Sequence, residues 1–290
     1  MILLRYRYSR IPVLMEFYTK WFAGPSNVCR GWIREMGICR GRMRECRFMR
    51  FPVTLEGFVL HLEEVAKSFR ETNLFLSIAY YETVELEVRQ DLARYIWIDY
   101  DVDFEEDPQK AKSIALEIAR GIKRRYGCTP VLFFSGLKGA HIIIPLKHPV
   151  KWDEYVQLYR RLIAPYKYAR ELIDDNMLQW NRLSRIPYTF NYKKEGGGFS
   201  YIFDLNGKRL RAEDFDWDNY EPLDPDKVEI IRIRPSIEIP KAPTIHIYRT
   251  SRSKPSLPEN PEDLVSCEAV PPCIRNIIEA LIKTGDLDHY

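Results

Sequence analysis

The stretch Tyr95 to Phe104, YIWIDYDVDF, limits the possible folds more than any other part of the chain. It reads as an apolar strand carrying three acidic residues where a buried strand should have none. Alternate side chains of a strand share a face, so Trp97, Asp99 and Asp101 point one way while Ile96, Ile98 and Tyr100 point the other. The Cβ atoms of Asp99 and Asp101 then lie roughly 6–7 Å apart on a stiff element, close enough for their carboxylates to share one or two divalent cations. A strand running out into a solvated acidic turn has the same pattern, and spacing alone does not separate the two.

The segments around this strand alternate between helical and extended periodicity. From Thr54, apolar Leu55, Phe58, Val59, Leu62, Val65, Ala66 and Phe69 recur at three and four, predicting a core-facing helix capped by Thr54. Asn73 to Tyr80 reads as one strand. Asp107 and Pro108 have the form of an N-cap and first helical residue, and Lys123, Arg124, Arg125 and Gly127 mark that helix's end. Two short apolar runs, PVLFF and HIIIP, flank the loop SGLKGA and predict a hairpin. Trp152 to about Ile173 is helical with an interruption at Pro165, and Phe199–Leu205 and Val228–Arg234 read as further strands. TSRSKPSLPENPED, with three prolines and no periodicity, reads as a linker.

Chemistry concentrates in three places. Asp99 and Asp101 are the first. The second is the hairpin Ser135-Gly-Leu-Lys-Gly-Ala-His141, where a hydroxyl, an ammonium and an imidazole accompany two glycines that permit close backbone approach to a polyphosphate. The third is ELIDDNMLQWNRLSRIPYTFNYK, in which Asp174 and Asp175 are followed by Arg182, Arg185 and Lys193. A third carboxylate would complete an oxygen-rich site for Mg²⁺ or Mn²⁺, and donors beside it suit phosphate, so the reaction class is phosphoryl or nucleotidyl transfer.

Composition excludes some alternatives. A formal charge of +3 over 290 residues is no polycation, so any nucleic-acid surface must be local. Arg30 to Arg50 holds seven arginines against two glutamates, interleaved with Trp32 and Phe48. This patch, Arg40, Arg42, Arg44 and Arg47 above all, reads equally as a DNA contact or as a solvated basic surface. No apolar run reaches the ~18 residues needed to span a bilayer, and the opening residues mix arginine among apolar side chains, so the expectation is a cytoplasmic protein without a membrane partner. Cys29, Cys39 and Cys46, with nine and six residues between them, fit no common zinc spacing; free thiols, a disulfide and structural zinc remain open for them.

The order D-x-D, S-G-x-x-G-x-H, then an acidic residue followed by R-L-x-R-x-P and a lysine resembles the archaeo-eukaryotic primase superfamily, and within it the catalytic small subunit of archaeal primase. EFYTKWF, RFMRF and SIAYYET are similar to supporting stretches of that family, so the likeness runs from about Glu16 to Lys193. It implies an α+β core of mixed or antiparallel sheets flanked by helices, spanning 1–250, with 1–53 as a basic N-terminal part. It also implies a two-metal DNA primase or polymerase that adds deoxy- or ribonucleoside triphosphates to a 3′-hydroxyl on single-stranded DNA. Asp99, Asp101 and Asp174 would hold two Mg²⁺ or Mn²⁺ ions; Asp174 is preferred to Asp175 because it follows apolar Ile173 and precedes Arg182 by eight residues. Ser135, Lys138 and His141 would hold the triphosphate, and Arg182, Arg185 and Lys193 phosphates of nucleotide or template. The implied setting is replication of an archaeal chromosome or plasmid, with a replication helicase as a candidate partner. An end-joining repair polymerase, a metal-dependent nuclease and a non-catalytic single-strand binder are the rival readings.

The chain departs from the family in lacking a zinc-binding cluster after the S-G-x-x-G-x-H loop, which favours plasmid-type primase-polymerases and removes the expectation of zinc. VPPCIRNIIEALIKTGDLDH resembles the opening of the iron–sulfur domain of the primase large subunit, with Cys273 at the first ligand position. The expectation is a linker at 251–266 and, at 267–290, the start of a truncated helical domain of a fusion protein, with a cluster only in the untruncated protein.

Overall fold

The computed structural model describes residues 11–25, 31–40, 47–68, 72–83, 85–104, 107–174, 178–193 and 197–228. Arg42, Arg44, Asp175, most of the strand expected from Val228, the linker and 267–290 lie outside the described residues.

Two antiparallel sheets carry the architecture. One has four strands, β1 (Arg34–Arg40), β2 (Arg47–Val53), β3 (Thr72–Ser77) and β8 (Leu183–Arg185), in the order β2-β1-β3-β8. The other has five, β4 (Ala79–Tyr81), β5 (Ala93–Asp103), β6 (Val131–Phe134), β7 (Gly139–Val150) and β9 (Tyr201–Phe203), in the order β4-β5-β7-β6-β9. Among the described residues four helices, α1 (Ile11–Ala23), α2 (Leu55–Ser68), α3 (Pro108–Tyr126) and α4 (Trp152–Ile163), flank them, and the fold is α+β as expected. No helix among the described residues is long and apolar enough to cross a membrane.

Helix α3 shows how closely local chemistry sets an element. The Asp107 carboxylate accepts from the backbone N–H groups of Gln109 (2.9 Å) and Lys110 (3.2 Å), and Gly127 ends the helix at φ 76°, a left-handed conformation that favours glycine. Ile114, Ala115, Ile118, Ala119 and Ile122 form its buried stripe, which lies on β7 and its neighbours. Each fully buried isoleucine contributes about 1.5–3 kcal/mol relative to exposure. Helix α4 covers β5: the Tyr100 ring packs against that of Tyr159, tilted by 42° with centroids 4.3 Å apart, and its hydroxyl donates to the Tyr159 carbonyl.

The single strand expected from Asn73 to Tyr80 is instead two strands, one in each sheet. At the break, the Ser77 carbonyl accepts from the guanidinium of Arg34 and the Ser77 hydroxyl accepts from the Glu35 N–H (3.0 Å). With its backbone oxygen so occupied, the chain leaves the first sheet and enters the second at Ala79. Arg34 is buried against the rings of Tyr80 and Trp97, and Arg50 is ion-paired to buried Glu35. Two of the seven arginines expected on a basic surface therefore hold the scaffold together. Arg40 is half-buried and Arg47 exposed. Cys39 is disulfide-bonded, which decides one of the open alternatives for that residue, and Cys128 is a free, buried thiol.

Candidate active site

Strand β5 lies inside the five-stranded sheet between β4 and β7, and its register with β7 fixes what each aspartate meets. Asp99 is opposite Ile143, Asp101 opposite His141, and Asp103 opposite Gly139. Period-two alternation puts all three carboxylates on one face. Asp99 is completely buried and its Oδ1 lies 3.0 Å from Nδ1 of His141. The other ring nitrogen, Nε2, is 3.6 Å from Asp101 Oδ1. Asp103 pairs with the Lys138 ammonium at 2.9 Å. Gly139 makes room for the last two: a Cβ there would stand 2.2 Å from Asp103 Oδ1 and 3.1 Å from Asp101 Oδ1.

A pocket opens over this row. Asp101, Asp103, Ser135, Lys138 and His141 line its five-stranded side, and Arg182, Arg185, Asn191 and Lys193 line the other. Asp99 is not on its wall. Asp174 is not either: its backbone N–H donates to the Asp101 carbonyl (3.0 Å), but its carboxylate pairs with Arg182 (3.1 Å). Of the three carboxylates expected in the site, the structure thus places Asp101 in the pocket, Asp99 behind His141 and Asp174 at its margin. The missing wall residue is Asp103, and the alternation that singles out Asp99 and Asp101 extends to it.

The Ser135 loop is held rigidly. Ser135 and Gly139 exchange bonds, with Ser135 N–H donating to the Gly139 carbonyl (2.9 Å) and Gly139 N–H to the Ser135 hydroxyl (3.2 Å). Gly136, at φ 86°, lies against Gly198, whose carbonyl oxygen would be 2.3 Å from any Cβ. On the opposite wall Arg185 is buried, stacks over Phe75 (4.9 Å) and donates to the side-chain oxygens of Asn73 (3.2 Å) and Asn191 (3.1 Å). Asn191 also donates to the Ser135 carbonyl (3.0 Å), tying the two walls together. Asn73 opens the stretch read as a strand and Asn191 lies within the third of the chemistry-bearing segments, but neither is charged, and nothing in the sequence marks them as supports for Arg185.

Burial pushes the Asp101 carboxyl up to about 6, opposed by His141 and reinforced by Asp103 and Asp99. For His141, burial works against the charged ring, but Asp101 and Asp99 outweigh it and the imidazole is raised above its ordinary range. Burial lowers Arg185 to about 10 and also lowers Lys193, with Arg185 as the next cause for the lysine. These cations line a pocket where Arg185 has no carboxylate partner among the described residues, an arrangement suited to an incoming anion.

The donor set fits a hard divalent cation. All candidate ligands are carboxylate oxygens, and two buried ones, Asp101 Oδ1 and Asp99 Oδ2, have no hydrogen-bond partner. A second acidic group, His148 with Asp224 and Asp226, lies elsewhere on the surface; its carboxylates pair with Lys147 and His148.

No protein-family model matches the sequence, and no curated protein matches it. Among solved structures the chain is similar to primase RepB′ (11% identity, TM-score 0.44), over 70% of this chain and 59% of that one. It is similar to the primase-polymerase domain of cyanophage S-2L (15% identity, TM-score 0.41), over 66% of this chain and 90% of that one. It is also similar to the polymerase domain of Mycobacterium tuberculosis ligase D in complex with DNA (13% identity, TM-score 0.44), over 74% of this chain and 85% of that one.

Proposed function

We propose that the chain is a nucleotidyltransferase of the archaeo-eukaryotic primase superfamily, extending a 3′-hydroxyl with nucleoside triphosphates on a single-stranded DNA template. The observation that carries this reading is one pocket with Asp101 and Asp103 on one wall and Arg182, Arg185 and Lys193 on the other, joined by the Ser135–His141 hairpin. A nuclease needs the carboxylates but has no use for so many phosphate donors.

Asp99 and Asp101, whose buried oxygens Oδ2 and Oδ1 have no hydrogen-bond partner, with Asp103 beside them and Asp174 at the backbone of Asp101, would hold Mg²⁺ or Mn²⁺. When bound, such an ion lowers the pKa of the attacking hydroxyl and offsets charge on the five-coordinate phosphorus. The chain's own residues bind and orient the triphosphate: Ser135 and His141 from the hairpin, Arg182, Arg185 and Lys193 from across the pocket. Lys138 exchanges its Asp103 partner for a phosphate. Buried Arg185 and His141 keep water from the phosphates, which strengthens each contact. On this reading 1–250 is the catalytic domain, 251–266 a linker, and the setting is replication of a chromosome or plasmid.

The test is incorporation of labelled deoxy- and ribonucleotides on single-stranded DNA, with and without primer, in Mg²⁺ and in Mn²⁺. Template-dependent extension that EDTA abolishes is expected. DNA degradation without added nucleotide, or tight DNA binding in EDTA with no incorporation, would sink the proposal in favour of a nuclease or a binding module. A strong preference for gapped, 5′-phosphorylated ends would move the role to end joining.

A further inference from the structure

The far face of the five-stranded sheet carries cations and rings that the pocket does not use. Phe133 stacks on His141 on the pocket face, so its neighbour Phe134 points the other way, in register with Tyr201 of the edge strand β9. The two rings meet with centroids 5.5 Å apart. Helix α3 and the turn after β9 supply the charge. Exposed Arg209 lays its guanidinium over the Tyr201 ring at 4.6 Å, and the Lys112 ammonium lies 4.8 Å from the centre of the Phe203 ring. Lys112 also donates to the Gly207 carbonyl (3.3 Å), tying helix to turn, and Lys208 in that turn is exposed. The carboxylates of the same stretch are engaged elsewhere. Asp204 accepts from the N–H groups of Asn206 and Lys208 (both 2.8 Å), and Glu213 and Asp214 pair with Arg211. Among the described residues Lys112, Lys208 and Arg209 have no carboxylate partner.

This face adjoins the pocket. Strand β5 ends at Asp103, β6 ends at Phe134, β7 begins at Gly139 and β9 begins at Tyr201, so all four meet one end of the sheet, where Asp103, Ser135 and Lys138 line the pocket. We propose that the face formed by Tyr201, Lys112, Lys208 and Arg209 is a second contact for a single nucleic-acid strand, which turns round the end of β6 on leaving the pocket. A guanidinium stacked on a ring is held flat, with its outer face open to a base and its N–H edge to a phosphate. Lysines beside it follow the backbone, and cations interleaved with rings suit a single strand. An acidic protein segment would meet the same charge but gain nothing from the stacked plane. This inference rests on the reading of the pocket as one that works on single-stranded DNA.

The experiment uses the full chain and its variants Lys208→Gln/Arg209→Gln and Arg209→Lys. The probes are DNA and RNA single strands of about 4 and about 16 nucleotides, spanning the usual footprint of one binding module. On the longer strand the double variant should lose about tenfold in affinity. Its slope of log affinity against log salt should fall by about 1.4, or about 0.7 for each cation removed. Binding of the shorter strand, and of a non-hydrolysable deoxynucleoside triphosphate with Mn²⁺, should stay within about twofold, because neither side chain is on the pocket wall. The thermal midpoint should not move, since both side chains are exposed. Arg209→Lys should keep the parental slope and lose about threefold in affinity, because lysine keeps the charge and gives up the plane. Parental affinity and slope in the double variant overturn the proposal; the two cations then only cover apolar surface with their stems. Displacement of the long strand by polyglutamate as readily as by a second nucleic acid overturns it too. Template extension by a chain whose double variant binds strands normally removes this surface and leaves the polymerase reading. Strand affinity that falls in the double variant of a chain incorporating no nucleotide does the reverse.

Discussion

The two walls of the pocket are built on different plans. The acidic wall lies on β5 and β7, long strands paired to each other in the interior of the five-stranded sheet. The basic wall comes from β8, a three-residue strand at the edge of the other sheet, and from the residues on either side of it. On the first wall backbone pairing alone fixes the spacing of the charges. On the second, neutral amides do so: Asn73 and Asn191 hold Arg185, and Asn73 also accepts from the Tyr192 N–H. Groups that must share a small cation need tight spacing, which a paired strand supplies. Groups that follow a polyphosphate tolerate a looser support.

The largest effect should come from the rigid wall. Asp101→Asn with Asp103→Asn removes both wall carboxylates and should lower primer extension at least a hundredfold, the scale of losing preorganised charge stabilisation. The melting temperature should stay near that of the parent. Extension within tenfold of the parent would mean that the acidic wall does not bind the ions.

Next comes the other wall, where binding and stability should part company. Arg185 is a buried guanidinium without a carboxylate partner among the described residues. Replacing it by methionine removes a charge that is costly to bury, while the oxygens of Asn73 and Asn191 keep the N–H groups of Tyr192 and Lys193. Arg185→Met should weaken triphosphate binding about 10–100-fold, corresponding to about 1.5–3 kcal/mol for charged hydrogen bonds. Its thermal midpoint should equal or exceed the parent's. A large drop in that midpoint with unchanged nucleotide affinity would make Arg185 a scaffold residue.

The same contrast explains what the sequence could disclose. Helix α3 was legible because cap, stripe and stop all lie within its own residues, and the acidic row was legible because period two is a local rule. The division of roles among Asp99, Asp101 and Asp103 was not, since it depends on which β7 residue stands opposite each. The split of Asn73–Tyr80 into two strands was hidden for a similar reason. It is enforced by Arg34, forty-three residues from Ser77 in sequence. The basic wall was legible only as charges, because its amide supports carry no charge to mark them.

Those amides give the third prediction. Asn191→Ala removes the bond that ties Arg185 and the Ser135 carbonyl to one side chain. Losing one or two hydrogen bonds at about 1 kcal/mol each should raise KM for nucleotide about tenfold, with kcat changed much less. If kcat falls as much as kcat/KM, Asn191 acts in the transition state and the basic wall is as exacting as the acidic one.

The smallest effect tests how far the basic wall extends. Arg34 and Arg50 are locked into the scaffold, and Arg40 lies 3.8 Å from Glu64, so Arg47 is the described arginine of the patch best placed to meet a DNA phosphate. Beside it Phe48 is half exposed and meets Phe75, with ring centroids 6.0 Å apart, and Phe75 lines the pocket. A template strand running over β2 would therefore arrive at the basic wall. One phosphate contact contributes about 0.7 to the slope of log affinity against log salt for a single strand. Arg47→Ala should lower that slope by about this amount in a titration of single-stranded DNA and leave triphosphate affinity unchanged, because the guanidinium is not on the pocket wall. An unchanged slope would exclude β2 from the nucleic-acid surface and leave Arg47 a solvated charge on an edge strand.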